Sequence, residues 1–253
     1  MLDSGQKSGT VGGRVHRDLL FMAHQQEKEA AARASLRFVH DGNVVGLGSG
    51  STAACLIPFL AERVRAGLKI RGIPTSAQTQ ELAKASHVPL TTFNEVPQID
   101  VTIDGADEFD PQLNLIKGGG GALLHEKIVA SASRLFVIVA DSSKQVPVLG
   151  KFPLPVEVIP FADPLLIRRI TSLGARVQLR QRPDGSPYVT DEHNHILDCQ
   201  FGQMSDPAAL ARELDAMPGI VEHGLFVRMA DIVLLAKGVE VQELRRDNSR
   251  LPG

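Results

Sequence analysis

A chain of 253 residues, 43% of them hydrophobic, holds enough apolar material for one large core with a smaller one beside it. Its formal net charge of -2 provides no broad basic field, which argues against generic binding to nucleic acid or anionic membranes. The two cysteines, Cys55 and Cys199, form neither a disulfide framework nor a paired-cysteine zinc signature, which suits a reducing compartment, so a cytoplasmic setting is expected.

Residues 1–21 are Gly-rich and polar, without periodicity, and are expected to form a disordered extension, with Met22 as the natural start. The apolar run Leu19–Ala23 is too short for a signal-peptide core, and no run approaches the ~20 residues of a membrane span. From Gln25 the pattern turns helical, with Ala30, Ala34 and Phe38 along one side. Between Val44 and Val139 short apolar runs alternate with helical patterns, and residues 44–47, 69–73, 101–103 and 135–139 read as buried strands. This alternation predicts an α/β fold with a mainly parallel sheet, whose ligands bind beyond the carboxyl ends of the strands. The proline-dense stretch Val146–Pro164 is expected to break regular structure and mark a crossing into a second domain near Gly150. Residues 150–228 then read as a smaller α+β unit. It has a helix over Pro164–Leu173, a strand over Arg176–Leu179, a turn at PDGSP, short strands near Tyr188 and at His195–Leu197, and a helix capped by Asp206. The apolar run Ile232–Ala236 is expected to return to the large sheet, which makes 22–149 plus 229–253 one unit; the charged tail after Val239 is expected to be exposed.

Three segments suggest chemistry. In GLGSGST, residues 46–52, a strand runs into small residues and then a helix; its amides, with the hydroxyls of Ser49, Ser51 and Thr52, suit a phosphate, or simply a tight turn. In IDGADE, residues 103–108, Asp104 and Asp107 are placed within reach of one small ligand, as a hydroxyl-binding pair, a divalent-metal site or a solvated acidic turn. In IKGGGGALLHEK, residues 116–127, four consecutive glycines cost too much chain entropy for a purely structural role. Lys117 opens that loop, and Glu126 falls about one turn into the following helix, facing either a ligand or solvent. Lys144, in ADSSKQ, follows a predicted strand and reaches either the same crevice or water. His193, His195 and Cys199 invite a metal reading, but their segment looks like an exposed hairpin tip.

In this order, GLGSGST, DGADE, KGGGGALLHEK, ADSSKQ and GKFPLPVEVIP resemble the type A ribose-5-phosphate isomerases, over about Gln25 to Ala236. The resemblance implies a Rossmann-like domain with a smaller ferredoxin-like domain, and a homodimer or homotetramer acting on a sugar phosphate in the non-oxidative pentose phosphate pathway. It implies no metal, no cofactor, no nucleic acid and no membrane. The family's catalytic glutamate falls on Glu126, its aspartates on Asp104 and Asp107, and its loop lysine on Lys117. Its ligand-binding positions fall on Lys28, Ser49, Gly50, Ser51, Thr52, Gly105, Ala106, Gly118, Gly119, Gly120 and Lys144. His125 before the glutamate and Ser49 at a position often held by threonine depart from the pattern. Glu126 would move a proton through a cis-enediol. Two alternatives are a sugar-phosphate sensor without catalysis, for which no helix-turn-helix is apparent, and a coenzyme A transferase with a nucleophilic glutamate.

Overall fold

A computed structural model describes residues 11–246, with side chains from Met22 onward. The first part of the chain runs α1 (Val11–Ser35), β1 (Val44–Leu47), α2 (Gly50–Arg65), β2 (Arg71–Pro74), α3 (Ala77–Ala85), β3 (Val101–Asp104), β4 (Glu108–Phe109), β5 (Leu115–Ile116), α4 (Leu123–Ser131) and β6 (Phe136–Ala140). It continues with β7 (Leu154–Val158), α5 (Asp163–Ser172), β8 (Arg176–Leu179), β9 (His195–Gln200), α6 (Pro207–Asp215), β10 (Ile220–His223), β11 (Leu225–Phe226), β12 (Ile232–Lys237) and β13 (Glu240–Arg245).

A six-stranded sheet in the order β13-β12-β6-β3-β1-β2 is parallel except at its β13 edge. Because side chains alternate across a strand, Val137 and Val139 face a core shared with α1 and α2, whereas Phe136, Ile138 and Ala140 face a second core with Phe109 and Phe226. The same alternation in β3 sends Val101 and Ile103 to the first core and therefore Thr102 and Asp104 to the opposite face, where α4 lies. The chain leaves β1 towards β2 on one side and resumes at β3 on the other, so a crevice opens beyond the ends of β1 and β3. A four-stranded antiparallel sheet, β10-β7-β9-β8, carries α5 and α6, and β11-β5-β4 form a small third sheet.

Four expectations are corrected. α1 begins at Val11, so the expected disorder does not extend over 11–21; helix-forming residues such as Arg17, Leu19 and Leu20 continue the pattern read from Gln25, and residues 1–10 lie outside the described residues. Of the tail after Val239, Glu240–Arg245 form β13, which follows a turn at Gly238 and packs Val241 and Leu244 against the cores while Glu240, Gln242 and Arg245 stay exposed; residues 247–253 lie outside the described residues. Around Tyr188 only isolated bridges form, Gln181 with Pro187 and Val189 with His195, rather than a strand. The proline-dense crossing contains β7, a central strand of the smaller sheet. Pro155 is accommodated there because its carbonyl accepts from the Gly224 amide at 2.8 Å, while the Gly224 carbonyl that a Pro155 N–H would have met accepts from Lys117 N–H at 2.9 Å.

Candidate active site

The loops after β1, β3, β5 and β6 meet with the first turn of α4 around one cavity of about 180 Å³. That is smaller than the ~300–1,000 Å³ typical of drug-sized ligands and suits one compact molecule. All the sequence-predicted positions line it: Lys28, residues 49–52, residues 104–107, residues 117–120, Glu126 and Lys144.

At one end, α2 starts from the loop after β1. The first amides of a helix have no intrahelical partner, and Ser49 does not cap them: its hydroxyl bonds Thr75 Oγ1 at 2.6 Å. This leaves an uncapped helix N-terminus, favourable to an anion, facing a cavity also lined by Ser51, Thr52, Lys28 and Lys144. Gly48 makes the approach to β3 feasible, since a Cβ there would lie 2.2 Å from Asp104 Oδ1. Asp104 Oδ1 instead accepts from the amides of Ser49, at 3.1 Å, and Gly105, at 2.7 Å.

At the other end the groups are buried. Lys117 Nζ lies 2.8 Å from Asp104 Oδ2 and 3.2 Å from Glu126 Oε2, and donates to the Gly105 carbonyl at 2.6 Å. Among the described residues Lys117 is the sole partner of Asp104 Oδ2 and Glu126 Oε2, both of which are buried. Burial raises the Glu126 pKa, Lys117 opposes this, and Asp104 adds to it, for a value pushed up to about 7. Burial alone would lower the Lys117 pKa, but the Asp104 and Glu126 carboxylates outweigh it and hold the ammonium charged.

Three of the four glycines are required by backbone conformation or by a close approach. Gly118 and Gly121 take left-handed φ values of 100° and 87°. A Cβ on Gly119 would lie 2.5 Å from Asp107, whose Oδ2 accepts from the Gly119 amide at 2.7 Å. At Gly120 a Cβ would meet nothing.

Sequence reasoning missed several supporting groups. Asp141 lines the cavity 3.8 Å from Lys28 Nζ and sits in the ADSSKQ motif, which was its available signal. Glu27, next to Lys28, accepts from Ser142 N–H at 2.9 Å, Ser142 Oγ at 2.8 Å and Gly238 N–H at 2.8 Å, and so ties α1 to the loop that carries Lys144. Burial would raise its pKa, but these hydrogen bonds hold it below the ordinary value. His125 turns away from the cavity and meets Glu192 at 2.7 Å. His193, His195 and Cys199 do not come together as metal ligands: His193 sits in a turn with φ 62°, His195 pairs with Asp163 at 2.6 Å, and Cys199 is fully buried.

A family model described as ribose 5-phosphate isomerase A (phosphoriboisomerase A) matches residues 71–239. Ribose-5-phosphate isomerase A of Bradyrhizobium diazoefficiens is 50% identical over 88% of this chain and 96% of its own. The solved ribose 5-phosphate isomerase A of Methanocaldococcus jannaschii is 40% identical, with a TM-score of 0.84 over 88% of this chain and 99% of that one. A D-ribose-5-phosphate isomerase structure in complex with phospho-erythronic acid is likewise 40% identical, with a TM-score of 0.85 over 88% of this chain and 99% of that one. With half its residues shared across nearly the whole of a relative, and the fold shared with it, this chain belongs to the ribose 5-phosphate isomerase A family.

Proposed function

We propose that the chain interconverts D-ribose 5-phosphate and D-ribulose 5-phosphate by proton transfer, with Glu126 as the base. One side chain carries the reading: a carboxyl group buried at the cavity wall, with a pKa near 7 and a fixed ammonium 3.2 Å away. Such a group accepts and returns a proton with little bias, as a shuttle between neighbouring carbons requires. Glu126 takes the proton from C2, and the C1 carbonyl oxygen takes up the negative charge of a cis-enediolate. The same carboxyl group returns the proton to C1 while the O2 hydroxyl proton passes to O1, so the product is an isomer with no atom gained or lost.

Lys117 and the amides of the Gly118–Gly121 loop that have no protein acceptor are the donors for the developing oxyanion, where losing one donor costs ~3–4 kcal/mol. Asp104 and Asp107 hold sugar hydroxyls and assist ring opening. The phosphate is anchored by residues 49–52 with Lys28 and Lys144, so that the reacting carbons meet Glu126. The scheme needs no metal and no cofactor. The names of the relatives and the phospho-erythronic acid in complex with a solved neighbour support this substrate class. The same reading takes 22–149 with 229–253 as the catalytic unit and 150–228 as the smaller one. It places a homodimer or homotetramer in the cytoplasm; among the described residues no helix is long and apolar enough to cross a membrane.

Incubating the purified chain with ribose 5-phosphate, in the presence of a chelator and without coenzyme A, tests the proposal. Ketose should form. Binding without ketose would return the sensor reading, and a requirement for coenzyme A the transferase reading.

A further inference from the structure

The glycine loop is not held by its own unit alone. Arg180, just past β8 in the smaller unit, donates from Nη1 to the carbonyls of Gly118, at 3.0 Å, and Gly119, at 3.1 Å. Asp198 on β9 fixes the guanidinium by accepting from Nε at 3.0 Å and from Nη2. With those nitrogens engaged, Nη1 is the one directed at the loop. The phenol of Tyr188, whose ring packs against Arg180, donates to the Gly120 carbonyl at 3.2 Å. Neither Arg180 nor Tyr188 lines the cavity. Three successive carbonyls of the loop are thus held from outside.

A trans peptide places N–H opposite C=O, and the described chain contains no cis bond. Gripping the Gly119 carbonyl therefore sets the direction of the Gly120 N–H, away from Arg180. Of the neighbouring amides, Lys117 N–H donates to Gly224, Gly119 N–H to Asp107 and Gly121 N–H to Gly118, while Gly118 N–H also has no acceptor among the described residues. Among the described residues nothing accepts from Gly120 N–H, although Gly120 lines the cavity and has free space beside it. An amide with a fixed direction and no protein acceptor is what a preorganised oxyanion donor requires.

We propose that Arg180 is a positioning residue for the isomerisation, holding the glycine loop so that the Gly120 amide points into the cavity as a donor to the enediolate oxygen. The inference rests on the isomerase reading above and extends it by giving the smaller unit a part in the chemistry. Lysine cannot replace the fork: it keeps the charge facing Asp198 but lacks the rigid planar donors that reach two carbonyls at once.

The test compares wild type, Arg180→Lys and Arg180→Met with ribose 5-phosphate as substrate, and with phospho-erythronic acid and inorganic phosphate as competitive inhibitors. The carboxylate of phospho-erythronic acid puts an anionic oxygen at the sugar's reacting end, whereas inorganic phosphate probes the anchor alone. Both variants should lose about 10-fold or more in kcat, part of the ~10²–10³-fold that outright loss of such a donor costs. KM should stay within about 2-fold, because the anchor is untouched. Inhibition by phospho-erythronic acid should weaken in step with kcat, and inhibition by inorganic phosphate should not change. If Arg180→Met does not fold, Arg180→Lys decides. A folded variant with kcat within about 2-fold of wild type overturns the proposal, as does an equal weakening of both inhibitors, which marks general loosening of the site. A wild-type chain that makes no ketose sinks the isomerase reading instead, so the two failures are distinguishable.

Discussion

The two ends of the cavity are built on opposite principles. Around the start of α2, Ser49 is half-buried and Gly50 and Ser51 are exposed, with only Thr52 buried, and the anion-binding capacity comes from an uncapped helix terminus with lysines near it. At the other end Lys117 and the two carboxylates it faces are desolvated: Lys117, Asp104 and Glu126 are 2%, 1% and 5% exposed. An anchor tolerates water, because a phosphate is held by several weak contacts that substitute for one another. A proton-transfer site does not, because burial is the largest cause of the Glu126 shift and the same burial would be costly without Lys117. Removing one group should therefore be severe at the buried end and graded at the open one.

The largest effect expected is from Glu126→Gln, which keeps the shape and removes the base: kcat should fall by about 10²–10⁴-fold with the fold intact. A folded variant that isomerises at the wild-type rate would erase the contrast altogether. Next comes Lys117→Met, which leaves two buried carboxylates without their cation; stability in urea should drop by about 3–5 kcal/mol, the cost of stranding buried charge. A loss below about 1 kcal/mol would mean that water already reaches this end.

The buried end should also respond to pH through Glu126. As a base it must be ionised, so the acidic limb of kcat/KM should lie near pH 7 rather than near 4.5, and activity should rise as pH increases through it. Stability should run the other way. A glutamate whose folded pKa is raised contributes stability that is fully present below its unfolded pKa and is lost as pH rises through about 7. Denaturation midpoints of wild type should fall over that window while those of Glu126→Gln do not. The smallest effect belongs to the open end: Lys144→Ala should raise KM by about 10-fold and leave kcat within about 2-fold, as loss of uniform binding does. A collapse of kcat with unchanged KM would show that Lys144 serves the chemistry rather than the anchor.

Much of this was legible in the chain because the relevant physics is local. The runs at 44–47 and 101–103 are apolar enough to be buried parallel strands, and both became strands of the large sheet within a residue of those bounds. GLGSGST and DGADE follow strands of the large sheet, and strand ends in an open α/β sheet face the crevice, whereas KGGGG follows β5 of the small third sheet and is brought to the same cavity by it. What stayed illegible depends on partners far away in sequence. Pro155 argued for a break, yet it sits in a central strand because Gly224 and Lys117 make good its missing donor. The tail after Val239 looked merely charged, and only a neighbouring β12 made it a strand. Nothing near Arg180 announces a ligand, since it acts through backbone carbonyls of a distant loop, and Glu27 beside Lys28 acts through Ser142 and Gly238, far along the chain.

By itself, then, the order of residues determined the alternating α/β pattern, the loops that carry reactive side chains and the family, because these follow from hydrophobic period, glycine placement and motif spacing. Only the tertiary structure decided which carboxylate is desolvated, which cation faces it and which outside groups hold the glycine loop, because burial and direction exist only once distant segments pack together.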